Sequence, residues 1–200
     1  MVSAAILAGG QARRFGGQDK GALVVEGRSI RERQLAELAL LTADILIVGG
    51  PDVAGRARGV PDRIQDRGPL GGLHTALLEA SGDRTIVVAC DMPYVSAALL
   101  GFLAGFADQA DIVVPRTSRG YHPLCAVYTR TCLEPIERRL AEGRLKMSGL
   151  FEDVRVRVVD VEQLRAFGDV DRLLTNVNSA ADHRELVARQ RPQGSRGHQR

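Results

Sequence analysis

The run Thr85-Ile86-Val87-Val88-Ala89-Cys90 carries no polar alternation after its first residue and stops abruptly at Asp91-Met92-Pro93. An apolar run of strand length, rich in β-branched residues and ended by proline, suits a strand buried on both faces. Such strands belong to sheets covered by helices on either side. Residues 4–7 and 44–48 have the same character, and the second ends at Gly49-Gly50-Pro51. Between them, Ser29 is placed as an N-cap, and Ile30, Leu35, Leu38 and Leu41 at helical spacing predict a helix over 29–41. Strand, helix, strand in this rhythm predicts a parallel arrangement.

The remainder of the chain repeats that alternation. Short strands are expected over 22–25, 60–64, 112–114, 124–128 and 154–161, the last with a charged alternate face. Helices are expected over 73–80, opened by Gly68-Pro69-Leu70-Gly71-Gly72, from Ser96 to about 106, over 131–141 and over 179–190. The fold class is therefore α/β, a Rossmann-like three-layer αβα sandwich with a mostly parallel sheet. At 200 residues one domain is expected over 1–190, with a disordered basic tail over 191–200.

The first strand runs into Gly9-Gly10-Gln11-Ala12-Arg13-Arg14-Phe15-Gly16-Gly17-Gln18-Asp19-Lys20. Glycines let the backbone approach a ligand and present its N–H groups, while Arg13, Arg14 and Lys20 set positive charge around the same space. A polyphosphate fits that combination, at the carboxyl end of a parallel sheet. Two better-known phosphate loops fail on spacing. Gly9 is followed two places on by Gln11, which breaks the dinucleotide fingerprint and argues against an NAD-linked oxidoreductase. Lys20 follows Asp19 and precedes Gly21, which breaks the Walker loop.

Asp91, directly after the buried strand, is placed to hold a divalent cation bridging phosphate oxygens; capping the next turn is its other reading. Asp62 offers only acceptors, which suits guanine N1–H and its 2-amino group, whereas Asp66 reads as an ordinary turn residue. The glycine-rich stretch 68–72 would let a base or ribose lie against the backbone. Asn176 and Asn178 sit on alternate positions, so both amides could reach a ligand, although capping is the plainer role for Asn178. His122 and Lys146 lie in loops that could border a second substrate.

Charge and cysteine usage exclude several classes. The formal charge is +3, but four arginines fall in residues 189–200, leaving 23 basic against 24 acidic groups elsewhere. That near-neutral body, with 4% aromatics, argues against nucleic-acid binding. Cys90, Cys125 and Cys132 form no Cys-x-x-Cys pair, so neither a disulfide framework nor a thiolate zinc site is expected. No apolar run reaches membrane-span length and the N-terminus lacks a signal-peptide layout, which predicts a cytoplasmic protein without membrane contact.

Taken together, Leu7-Ala8-Gly9-Gly10, Arg14-Phe15-Gly16, Asp19-Lys20, Asp62, Gly68-Pro69-Leu70-Gly71-Gly72, Cys90-Asp91-Met92-Pro93, His122-Pro123-Leu124, Lys146-Met147-Ser148 and Asn176-Val177-Asn178 resemble the molybdenum cofactor guanylyltransferases. The resemblance spans residues 2–190. It implies the nucleotide-diphospho-sugar transferase type of fold and transfer of GMP from GTP to molybdopterin with Mg2+. It also implies that Leu7, Ala8, Gly9, Gly10, Lys20, Asp62 and Asp91 contact the nucleotide. Asp91 would hold Mg2+, Lys20 and Arg14 would meet the departing pyrophosphate, and Asn176 and Asn178 would lie on the molybdopterin side. GTP and molybdopterin are the implied partners, and other cofactor-biosynthesis proteins form a further class. Some members carry an asparagine after the second long strand where this chain has Gly49. The rival expectations are a cytidylyltransferase of the same fold, acting on molybdopterin, an isoprenoid or a sugar phosphate, and a nucleotide-binding regulatory module without turnover.

Overall fold

The structure, a computed structural model, describes residues 1–8, 19–177 and 179–189. Gly9, Gly10, Arg14, Asn178 and the tail over 191–200 lie outside them, and with them the roles expected of those residues.

The described strands form an eight-stranded sheet. β1 (Val2–Leu7) lies between β4 (Ile45–Val48) and β6 (Arg84–Ala89), parallel to both. β5 (Arg58–Val60) flanks β4 in parallel. On the other side β9 (Cys125–Thr129) runs antiparallel to β6 and to β7 (Ile112–Thr117), and β10 (Val156–Asp160) joins β7 in parallel. The order is β10-β7-β9-β6-β1-β4-β5, with β8 (Gly120–Tyr121) paired to β7 and a separate hairpin of β2 (Val24–Val25) and β3 (Arg28–Ser29). The sheet is mostly parallel, as the continuous apolar runs require.

Alternate residues of each central strand enter different cores. Ala4, Ile6, Ile45, Ile47, Ile86 and Val88 pack with α1 (Ile30–Leu38) and α3 (Ala97–Ala104). Ala5, Leu7, Leu46, Val48 and Val87 pack with α2 (Gly68–Glu79) and α4 (Leu133–Ala141). This is the three-layer αβα sandwich. Ser29 caps α1 in a capping box with Glu32, and Ser96 caps α3 by accepting from Leu99 N. The chain closes through the short helices α5 (Val161–Leu164) and α6 (Val170–Leu173) and then α7 (Ala180–Arg189).

Several expected boundaries move, each for a local reason. Residues 68–72 do not precede the second helix; they are its first turns. Pro69 tolerates the first turn because its missing N–H has no intrahelical partner there. A Cβ on Gly71 would stand 2.7 Å from Ile64 O, so this glycine serves a close approach. β5 occupies 58–60 rather than 60–64, because Pro61 has no N–H to continue the ladder. α1 ends at Leu38, and Leu41 N and Thr42 N then donate back to Leu38 O as a turn.

Candidate active site

Three parallel strands deliver their carboxyl ends to one place. Cys90 N donates to Leu7 O (3.2 Å) and Ala8 N to Val48 O (2.8 Å), so β1, β4 and β6 finish level with one another. The turn after β6 carries Asp91, only 8% exposed. Its Oδ2 accepts from Lys20 Nζ at 3.2 Å and its Oδ1 from Asn176 Nδ2 at 3.0 Å. A carboxylate has only acceptors, so the Asn176 NH2 must face it. Lys20 is held on a 3-10 turn, Lys20–Ala22, which Asp19 caps by accepting from Gly21 N at 2.9 Å; Asp19 is in turn ion-paired with Arg31. Val177 N donates to Asp91 O at 2.8 Å, so the late segment docks on the aspartate through both main chain and side chain.

In front of this group lies a cleft of about 370 Å³, lined by Leu7, Lys20, Val48, Gly68, Gly72 and Asp91 among others. α2 points its N-terminus at it: Gly68, Pro69 and Gly72 are on the wall, and its N-cap residue, Arg67, makes no side-chain cap bond. An uncapped helix start leaves first-turn N–H groups for an anionic or acceptor-rich ligand. A second cleft of about 390 Å³ lies beyond Pro93, around Arg33, Tyr94, Phe167 and Arg172. Arg33, Arg172 and Tyr94 all converge on Glu26, so that space is lined by side chains that satisfy each other.

Of the expected residues, the structure brings together Leu7, Lys20 and Asp91 in the cleft wall, with Ala8 at the strand end beside them. Asp62 is not among the wall residues. Its Oδ1 accepts from Ile64 N and from the Thr75 hydroxyl, both at 3.2 Å, which orders the approach to α2. Asn176 sits on Asp91 itself. Gly49 has φ +73°, a region that asparagine also enters, so the asparagine the resemblance expects would fit this backbone. His122 Nε2 lies 2.9 Å from Thr117 Oγ1, and burial, reinforced by Arg119, lowers its pKa. Lys146 is exposed at the start of a 3-10 turn whose Met147 is buried in the core.

Burial, helped by the Asp91 charge, pushes the Cys90 thiol up to about 12, so it is a neutral thiol near neutral pH and no nucleophile. No group of three or more His, Cys, Asp or Glu that could hold a metal occurs among the described residues. Asp91 therefore stands in the cleft wall with Lys20 beside it. Sequence reasoning passed over Gln34, which contacts the Asp91 turn from α1. Its signal was present: a polar residue between Ile30 and Leu38 on the apolar stripe of the helix.

The chain is similar to proteins of known family and fold. Residues 4–157 match the family model of the MobA-like NTP transferase domain. The chain is 37% identical over 169 residues to a molybdenum cofactor guanylyltransferase of Desulfosudis oleivorans, covering 82% of this chain and 84% of that protein. Among solved structures, molybdopterin-guanine dinucleotide biosynthesis protein A of Archaeoglobus fulgidus superposes with a TM-score of 0.78 at 25% identity, over 93% and 96% of the two chains. The 2-C-methyl-D-erythritol 4-phosphate cytidylyltransferase of Thermus thermophilus shares the fold at 16% identity, with a TM-score of 0.68 over 96% and 100%.

Proposed function

We propose a function on one premise: the chain belongs to the MobA-like NTP transferase family. It is a nucleotidyltransferase that transfers GMP from GTP to the phosphate of molybdopterin, forming the guanine dinucleotide form of the cofactor and releasing pyrophosphate. The observation that carries this reading is the pairing of Lys20 with Asp91 at the carboxyl ends of three parallel strands. A binding module would need the lysine but not a carboxylate turned toward a polyanion. Guanine rather than cytosine is favoured by the 37%-identical guanylyltransferase, since the cytidylyltransferase likeness extends to the fold alone.

Asp91 suits Mg2+, which is commonly held through one or two protein carboxylates plus substrate phosphates. Bound there, the ion would neutralise charge on the phosphate oxygens. The chain's own groups do the rest. Lys20 Nζ, released from Asp91 as phosphates enter, meets the negative charge that grows on the leaving pyrophosphate, with Arg14 as its expected companion. A phosphate oxygen of molybdopterin forms the new bond to the α-phosphorus while the bond to the β-phosphate bridging oxygen breaks in line. The attacking phosphate is already anionic, so no protein base is required, and the neutral Cys90 and Thr117-bonded His122 agree with that. Asn178 and Asn176 are proposed on the molybdopterin side, with Asn176 also fixing Asp91 Oδ1. Asp62 is proposed to read the guanine edge. The reaction is proposed for the cytoplasm, the reducing compartment that the cysteine usage predicts.

Pyrophosphate release with Mg2+ and molybdopterin, compared across GTP, CTP and ATP, tests this reading. Release with GTP alone is expected. Preference for CTP would overturn the substrate assignment, and tight GTP binding without release would favour a regulatory module.

A further inference from the structure

We propose that Gln34 is a positioning residue for Asp91, fixing from beneath the turn on which the carboxylate stands. Gln34 lies on α1 with 0% exposure, between apolar neighbours of the core. Its Nε2 donates to Ala89 O at 2.7 Å and to Met92 O at 3.0 Å. Those carbonyls stand two residues before Asp91 and one residue after it. Both can only accept, so the amide has one possible orientation and both of its hydrogens are committed. Met92 N also donates to Ala89 O at 3.3 Å, closing the turn on itself. One side chain from a distant helix therefore clamps both ends of the Asp91 turn.

The same residue carries a cost. Among the described residues the buried Gln34 Oε1 has no hydrogen-bond partner, which is unfavourable in an apolar layer. A methionine would fill the space without it. The amide therefore serves geometry more than packing. Lys20 and Asn176 fix the two oxygens of Asp91, while Gln34 fixes the backbone from which they reach. Supporting residues of this kind set metal affinity and phosphate alignment, because small displacements of a ligand oxygen are expensive.

The proposal rests on Asp91 being the metal carboxylate, and its test separates the two claims. Gln34→Met keeps the side-chain length, removes the partnerless oxygen and deletes both donors. Mn2+ affinity in the presence of GTP would be read by electron paramagnetic resonance, alongside metal-free GTP affinity and the melting temperature. The expected result is about tenfold weaker Mn2+ binding with metal-free GTP affinity at the wild-type value, and a modestly lowered melting temperature because the Ala89 and Met92 carbonyls lose this donor. A lower kcat at nearly unchanged KM for GTP should accompany it. Wild-type Mn2+ affinity and kcat in Gln34→Met would overturn the proposal. Asp91→Asn, measured beside it, must weaken Mn2+ more strongly; if it does not, the metal reading of Asp91 fails instead. Gln34→Glu supplies a donor only while protonated, so its Mn2+ affinity relative to wild type should fall as pH rises, and a flat ratio would contradict the clamp.

Discussion

The amino ends of the parallel strands and their carboxyl ends both gather aspartates, but they use them differently. Before β4, Asp44 accepts from Ser3 Oγ at 2.5 Å and from Ser81 N at 2.8 Å. Ser3 Oγ in turn accepts from Gly82 N at 2.8 Å, and a Cβ on Gly82 would stand 2.5 Å from Met1 O. Before β7, Asp111 accepts from Arg155 and from Thr131. At this end Asp44 and Asp111 are answered by protein donors, although Asp44 borders a shallow depression of about 640 Å³. At the other end Asp91 has Lys20 and Asn176, but it fronts an open cleft beside an uncapped helix. The chemistry of an aspartate beside a strand is set by what converges on it.

Three changes would break or sharpen that contrast. At the open end, Lys20→Met should lower kcat by about 10² to 10³, the usual loss of one preorganised donor, with the fold intact by circular dichroism. At the amino end, Asp44→Ala should cost about 2 kcal/mol by leaving the Ser3 and Ser81 donors unanswered, while activity per folded molecule is kept. Burial alone would raise the Asp44 pKa, but hydrogen bonds from Ser3 and Ser81 lower it on balance, so its contribution is present above its ordinary 3.8 and is lost in acid. Asp111→Asn should have the smallest effect. Arg155, more than offsetting burial, draws this carboxyl down from 3.8 to about 2. A depressed acid stabilises above its unfolded pKa, so the loss, about 1–2 kcal/mol with the exposed arginine screened, should appear above pH 4 and vanish as pH falls through about 2. Urea unfolding of wild type and variant at pH 7, 4 and 2 reads it directly.

Much of this was legible in the residues. The apolar runs at β1, β4 and β6 announce strands buried on both faces, and the abrupt stop at Asp91-Met92-Pro93 marks a carboxylate at a sheet end. The direction of β9 was not legible, because side-chain alternation is identical in parallel and antiparallel pairs. The start of α2 was misplaced because glycine and proline read as turn signals, whereas here they serve a first helical turn packed close to its neighbours. Asp62 is legible as an acceptor, but its bonds to Ile64 and Thr75 depend on how α2 returns to the sheet. Gln34 touches residues 55 and 58 positions away, a relation that no local pattern contains.

The central claim is tested most directly by measuring turnover with GTP and the thermal midpoint together on Asp91→Asn and Asp44→Asn. The account predicts a crossed result. Asp91→Asn should lose at least about 10³ in turnover with its midpoint at or above wild type, as active-site substitutions often do. Asp44→Asn should turn over normally per folded molecule with a lowered midpoint. Wild-type turnover in a folded Asp91→Asn would contradict the account.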